Sequence, residues 1–128
     1  MSYIGTGIND SPTIALTAAE AIENAAFKAV KLDENGNVVL AAEGEAPIGI
    51  ITAEFDNVSE GDDITVQVKD IGFALAGEAI TAGQEVACGT DGKIKTAASG
   101  NFIIGFALET AEINTVARVQ ITKSGYKA

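Results

Sequence analysis

The stretch Asn35-Gly36-Asn37-Val38 recurs as Asp91-Gly92-Lys93-Ile94, 56 residues further along the chain. Two more pairs keep the same spacing: Ala41-Ala42-Glu43-Gly44 with Ala97-Ala98-Ser99-Gly100, and Ile48-Gly49-Ile50 with Ile104-Gly105-Phe106. Three matches in one order and at one spacing indicate an internal duplication, a feature that must be recognised before any fold is assigned.

The spacing between the copies changes at their ends. Upstream, Glu20-Ala21-Ile22 matches Glu78-Ala79-Ile80 at a spacing of 58, and downstream Val66-Gln67-Val68 matches Val119-Gln120-Ile121 at a spacing of 53, so the second copy has a loop shortened by three residues. We expect a first repeat over residues 13–68 and a second over residues 69–128, which includes the C-terminal tail. Together they should form one compact domain of ordinary size.

Each copy is predicted to form strands and hairpins. Asn35-Gly36 and Asp91-Gly92 both lie between apolar, alternating runs, which is the strongest short hairpin signal because both central turn residues are expected to have positive φ. Ile64–Val68 and Val116–Ile121 alternate strictly, as half-buried strands do. The sequence therefore predicts an all-β fold, in which a duplicated hairpin and strand motif forms a small β-barrel or sandwich.

Two local features refine this prediction. Gly49 and Gly105 lie inside apolar strands, where a glycine usually marks a bulge or the close approach of another backbone. Thr17-Ala18-Ala19-Glu20 could be a helix capping box, but the second copy has Thr81-Ala82-Gly83-Gln84 in the equivalent region. We therefore expect strand and turn there, with at most one helical turn.

Residues 1–12 lie outside the duplication and are predicted to form an extended N-terminal arm. The arm carries the apolar residues Tyr3, Ile4 and Ile8 and ends at Pro12, and we take these four as the candidate interface with a partner. Adding a strand to the edge of a neighbour's sheet is the natural mode for such an arm. A loose terminus is the alternative at this stage.

Charge and hydropathy exclude two classes of partner. The 8 basic and 18 acidic residues give a net charge of −10 without a basic cluster, so neither nucleic acid nor an anionic membrane surface is an expected partner. The longest apolar stretch, Phe102–Leu108, is too short to cross a bilayer. The N-terminus lacks a basic region followed by an apolar run, so we expect synthesis and residence in a cytoplasm.

The residue inventory argues against catalysis. The chain has no histidine, which removes the Ser–His and Cys–His nucleophile arrangements and the commonest zinc ligand sets. Asp62-Asp63 reads as a solvated turn, and Asp33–Asn37 fails the calcium-loop pattern because its glycine comes at the fourth position. Cys88 is expected to be a small buried side chain. We therefore predict no enzyme activity, no catalytic residue, no metal site and no cofactor.

A family resemblance gives these observations a function. The chain resembles the bacteriophage capsid decoration (cement) proteins in the following stretches: Ala18–Ile22, Phe27–Leu32, Asn35-Gly36, Ile48-Gly49-Ile50 and Ile64–Val68, followed by a second pass from Ala79 to Ile121. The resemblance implies a virion structural protein, made in the host cytoplasm, that binds the outer capsid surface. It implies that such a protein cements neighbouring major capsid protein subunits, often as a homotrimer. The resemblance does not identify which residues would contact the capsid.

Two alternatives from other classes stay open at this point. One is another phage tail or surface module, or a carbohydrate-binding β module, since β-sandwiches and barrels often serve in such roles. The other is an enzyme's carrier domain, because Gly77–Val86 is similar to the hairpin of biotinyl and lipoyl domains. That hairpin lacks the central lysine that those domains modify.

Overall fold

The computed structural model describes residues 11–53 and 55–128, and in these residues the chain forms ten strands and no α-helix. The strands are β1 Thr13–Thr17, β2 Ala29–Leu32, β3 Val38–Leu40, β4 Gly49–Ile51, β5 Asp63–Gln67, β6 Asp70–Leu75, β7 Glu85–Cys88, β8 Ile94–Thr96, β9 Phe102–Ala107 and β10 Val116–Tyr126. A short 3-10 turn covers Thr90–Gly92. No helix long and apolar enough to span a membrane occurs in this part of the chain.

The ten strands form two antiparallel sheets with one topology. The first sheet has the order β1-β5-β4-β2-β3 and the second has the order β6-β10-β9-β7-β8, which is the first order with five added to every strand number. Isolated bridges repeat as well, since Ala18 pairs with Val38 and Ala76 pairs with Ile94. The predicted all-β fold built from a duplicated motif is confirmed. Neither sheet closes into a barrel within the described residues, so the sandwich is the alternative that fits.

Each repeat has an apolar core of its own, built from small and β-branched side chains. In the first repeat the core includes Val30, Val38, Ile51, Ile64 and Val66. In the second it includes the fully buried residues Ala76, Ile80, Val86, Ile94 and Val119. Burying one such valine or isoleucine contributes about 1.5–3 kcal/mol. Ala29, Ala41 and Ile50 of the first repeat join the second repeat's core, so the first sheet also packs against the second repeat.

Gly49 and Gly105 occupy equivalent places where two strands approach closely. A Cβ on Gly49 would collide with the carbonyl oxygen of Gln67, and a Cβ on Gly105 would collide with that of Gln120. Both obstacles are backbone atoms of the neighbouring strand, so a side chain cannot be accommodated by a rotamer change. The prediction of a close backbone approach at these glycines is confirmed.

Both predicted hairpins form, but the expected turn is wrong at one of them. Asp91 and Gly92 both have positive φ, 58° and 71°. Of the two central residues of the first hairpin, Asn35 and Gly36, only Gly36 has positive φ, because the Asp33 carboxylate accepts the N–H groups of Asn35 and Asn37 and stabilises a longer loop. A type I turn followed by a left-handed glycine satisfies such a hairpin without a left-handed Asn35.

Candidate interaction surface

Strand alternation separates the two faces of the second sheet. Ala117, Val119 and Ile121 of β10 are buried, so Val116 and Arg118 point away from the core. Cross-strand pairs extend this outer face, since Phe73 lies opposite Arg118. The outer face therefore consists of the side chains that the strand register places on the side away from the core.

Large apolar side chains populate this outer face. Its exposed members on β6 and β10, and on β9 and just past its end, are Ile71, Phe73, Val116, Phe106 and Leu108. Ile71 and Phe73 are each about half exposed, at 53% and 51%. Scattered exposed apolar residues are ordinary, but several on one sheet face typically mark an interaction site.

The first sheet gives an internal comparison, because the register fixes equivalent positions. Thr13, Ala15 and Thr17 of β1 occupy the places of Ile71, Phe73 and Leu75, and Asp63 occupies the place of Val116. The first sheet therefore shows polar or small residues where the second shows large apolar ones. The pattern on β6 is inverted as well, since the small residues Gly72 and Ala74 face the core.

Phe73 also marks the junction between the repeats. Its ring meets that of Phe27 in an edge-to-face contact with centroids 6.1 Å apart, and the Leu75 N–H donates to the Phe27 carbonyl at 3.0 Å. An open cavity of about 230 Å³ lies beside these rings and is also lined by Ile50 and Gln67. The outer face thus continues across the junction.

Few charges interrupt the outer face. Arg118 lies between the apolar strands, with its Nε 3.8 Å from Glu109 Oε2 and its backbone N–H donating to Glu109 Oε1 at 2.9 Å. The pairing leaves this region close to neutral in an otherwise acidic protein. A partner therefore meets apolar surface here without facing unbalanced negative charge.

Only one of the four predicted interface residues lies within the described residues. Pro12 is exposed, and its carbonyl accepts the Val68 N–H at 2.8 Å, so the chain enters β1 beside the link that leads into β6. Tyr3, Ile4 and Ile8 lie outside the described residues. The outer face of the second sheet was missed, because the alternation Ile71-Gly72-Phe73-Ala74-Leu75 separates large from small side chains without saying which set is exposed.

The side chains that could support chemistry are either buried or dispersed. Burial raises the pKa of Cys88 to about 12, and its thiol donates to the Ala41 carbonyl at 3.3 Å, so the expected buried cysteine is confirmed. Among residues 11–53 and 55–128, no three Cys, Asp or Glu side chains gather where they could hold a metal ion.

A sequence model of the family described as phage cement protein matches residues 52–122, more than half of the chain. The chain belongs to the phage cement protein family. The span matched in this cement protein runs from the approach to β5 into β10, so it contains every exposed member of the outer face. The family resemblance seen in the sequence is confirmed.

Solved structures show the same fold. The chain is similar to the crystal structure of the head fiber gp8.5 N base of bacteriophage phi29, with a TM-score of 0.68 and 19% sequence identity. The similarity covers 91% of this chain and 98% of that one. No curated protein matches the chain.

Proposed function

We propose that this protein is a virion structural protein that binds the outer surface of a phage capsid and stabilises the shell by holding neighbouring major capsid protein subunits together. The match to the phage cement proteins over residues 52–122 carries the proposal. The exposed apolar face on the second sheet supports it, since binding needs surface that can be desolvated.

In this proposal the protein acts by binding alone, without catalysis, metal or cofactor. It is made in the host cytoplasm and is located on the virion exterior, away from packaged nucleic acid. A homotrimer would suit points where three capsid subunits meet. The net charge of −10 supports this placement, because it disfavours contact with nucleic acid and keeps an abundant protein soluble.

Residues 1–12 form the arm in this proposal, and residues 13–68 and 69–128 form the two repeats of one compact domain. Tyr3, Ile4, Ile8 and Pro12 would contact the capsid protein. The position of Pro12 supports this role, because the chain enters β1 beside Val68 and the start of β6. The arm and the outer face could then engage one partner, and a tethered second contact raises the effective concentration of the first.

Capsid binding is tested by mixing the protein with undecorated, expanded capsids of its source phage and separating bound from free protein by sedimentation. We expect saturable binding and a higher capsid disruption temperature. Ile71→Glu should weaken binding, because a charge replaces a half-exposed isoleucine on the outer face. Ile113→Glu is the matched control, since Ile113 is 58% exposed and lies in the loop before β10.

The arm is tested by deleting residues 2–10, which removes Tyr3, Ile4 and Ile8 and keeps every residue that the structure describes. Binding to capsids should weaken while the urea midpoint of the free protein stays unchanged. Equal affinity with and without the arm would reject its role. Absence of any association between the full protein and capsids would reject the proposed function itself.

A further inference from the structure

The two repeats bury opposite surfaces. At the equivalent positions Ile50 and Phe106, the first-repeat residue is 1% exposed and the second-repeat residue is 38% exposed. At the equivalent positions Leu32 and Cys88 the order is reversed, with 40% and 0% exposed. This is the signature of head-to-tail packing, in which one surface of the first repeat is covered by a different surface of the second.

The covering element is the hairpin tip of the second repeat, which we call the second tip (Cys88, Asp91 and Gly92). A Cβ on Gly92 would lie 3.1 Å from both the Ala29 carbonyl oxygen and Lys28 Cβ, so the tip lies directly on the first sheet. The Lys28 ammonium is 2.9 Å from the Asp91 carboxylate.

The receiving surface is the first socket, formed by Lys28, Ala29, Leu40, Ala41 and Ile50. A Cβ on Gly92 would point at the Leu40 side chain, and the Ala41 carbonyl accepts a hydrogen bond from the Cys88 thiol. Ala29, Ala41 and Ile50 are buried in the same cluster as the second repeat's core. Tip and socket together therefore form the covered contact between the repeats.

The second repeat has an equivalent socket that is open. A spacing of 56 carries the first socket onto Gln84, Glu85, Thr96, Ala97 and Phe106, which we call the second socket. These five residues line one cavity of about 420 Å³. The duplication thus places a copy of an occupied contact surface at the free end of the molecule.

The first repeat has the matching tip, which is also uncovered. The first tip consists of Leu32, Asn35 and Gly36, the equivalents of Cys88, Asp91 and Gly92. A Cβ on Gly36 would meet no described atom within 4 Å, whereas the Gly92 position is enclosed. Leu32 is an exposed leucine at the place where Cys88 is fully buried.

At the positions of the internal ion pair the two contacts differ in a paired way, while Glu85 of the second socket has its own ion pair with Lys127, 2.6 Å away. The internal contact joins a lysine to an aspartate, Lys28 to Asp91. The equivalent residues are both amides, Gln84 in the second socket and Asn35 in the first tip. A change of only one partner would leave a charge without its counterion, whereas two amides can donate to and accept from each other.

We propose that copies of this chain associate head to tail, with the first tip of one copy in the second socket of the next. The contact would reproduce between molecules the one already made within each chain. Because tip and socket are different surfaces, the interface is heterologous and can close into a ring. A trimer is one such ring.

The test uses two variants that each destroy one side of the contact, Leu32→Glu in the first tip and Phe106→Glu in the second socket. Wild-type protein should form an oligomer in sedimentation velocity and native mass spectrometry, and each variant alone should be monomeric. An equimolar mixture should form a dimer only, since it contains one intact tip and one intact socket. Ile113→Glu should assemble like the wild type.

Several outcomes would overturn the proposal. The proposal fails if the wild type is monomeric, if either variant still assembles, or if the mixture stays monomeric. A monomeric mixture would indicate a symmetric interface or a different occupant of the socket, such as the capsid protein or the arm. Unchanged urea midpoints of both variants establish that they fold. The experiment uses free protein, so a negative result leaves capsid binding untouched.

A second test transplants the internal ion pair. Asn35→Asp combined with Gln84→Lys should tighten association at low salt and lose that gain at high salt, because the new pair is an electrostatic interaction that salt screens. Either substitution alone should weaken association, since it places one unpaired charge in the contact. An association constant that is the same in all four proteins at low salt would contradict the assigned contact.

Discussion

The Lys28–Asp91 ion pair should respond unequally to the removal of its two partners. The Lys28 side chain is 5% exposed and that of Asp91 is 53% exposed, with 2.9 Å between Nζ and Oδ2. Two unit charges about 4 Å apart interact by about 4 kcal/mol at an effective dielectric constant of about 20 and by about 1 kcal/mol in water. Because one partner is buried and the other half exposed, we expect about 2 kcal/mol for the charge interaction.

Asp91→Asn should therefore lower the free energy of unfolding by about 2 kcal/mol, since it leaves a buried ammonium without its counterion. Lys28→Met should change it by less than about 1 kcal/mol, because the carboxylate that remains is solvated and a buried charge is replaced by an apolar chain of similar length. Asparagine tolerates the left-handed backbone at position 91, so backbone strain does not contribute.

Urea denaturation followed by far-UV circular dichroism measures both effects and the double variant. The double variant should be more stable than Asp91→Asn alone, because removing the lysine removes the uncompensated charge. The reasoning fails if Lys28→Met is the more damaging substitution or if the two effects simply add. An unchanged m-value is the control that the same transition is compared.

Three more predictions concern backbone packing and buried ionisable groups. Gly105→Ala should destabilise by about 3 kcal/mol, because its Cβ meets the Gln120 carbonyl, whereas Gly100→Ala should cost only about 1 kcal/mol for its positive φ; similar losses in urea melts would contradict this. Because burial raises the pKa of Cys88 from 9.0 to about 12, the free energy of unfolding should fall by roughly 4 kcal/mol in total as the pH rises from 9 towards 12. The Cys88→Ala variant should lack this dependence. Burial lowers the pKa of Lys123, so its contribution should become more favourable as the pH rises towards 10.5, and a Lys123→Met variant with the wild-type slope there would refute this.

The strand arrangement was largely predictable because a duplication constrains both halves at once. The spacing of 56 between Gly36 and Gly92 placed both hairpins, and the same spacing placed Gly49 and Gly105 against neighbouring strands. Any register that suits one copy must suit the other, which removes most alternatives. The division into an arm and two repeats stays a prediction at the arm.

The orientation of β6 could not be predicted from its sequence. Alternation divides Asp70–Leu75 into two sets of side chains but does not say which set faces the core, and the larger set would normally be assigned there. Here the small set faces inward, because Ile80, Ile94 and Val119 already fill the core beneath it. The turn at Asn35 was wrong for a local reason, the competing hydrogen bonds of the Asp33 carboxylate.

The placement of the aromatic rings has a practical consequence for spectroscopy. In the described part of the chain no aromatic side chain is buried, and Tyr126 is 67% exposed and in edge-to-face contact with Phe102. The chain has no tryptophan. Intrinsic ultraviolet emission, which in this protein comes from tyrosine, should therefore report poorly on the melting of the cores, and circular dichroism of the strands is the more direct optical probe of denaturation.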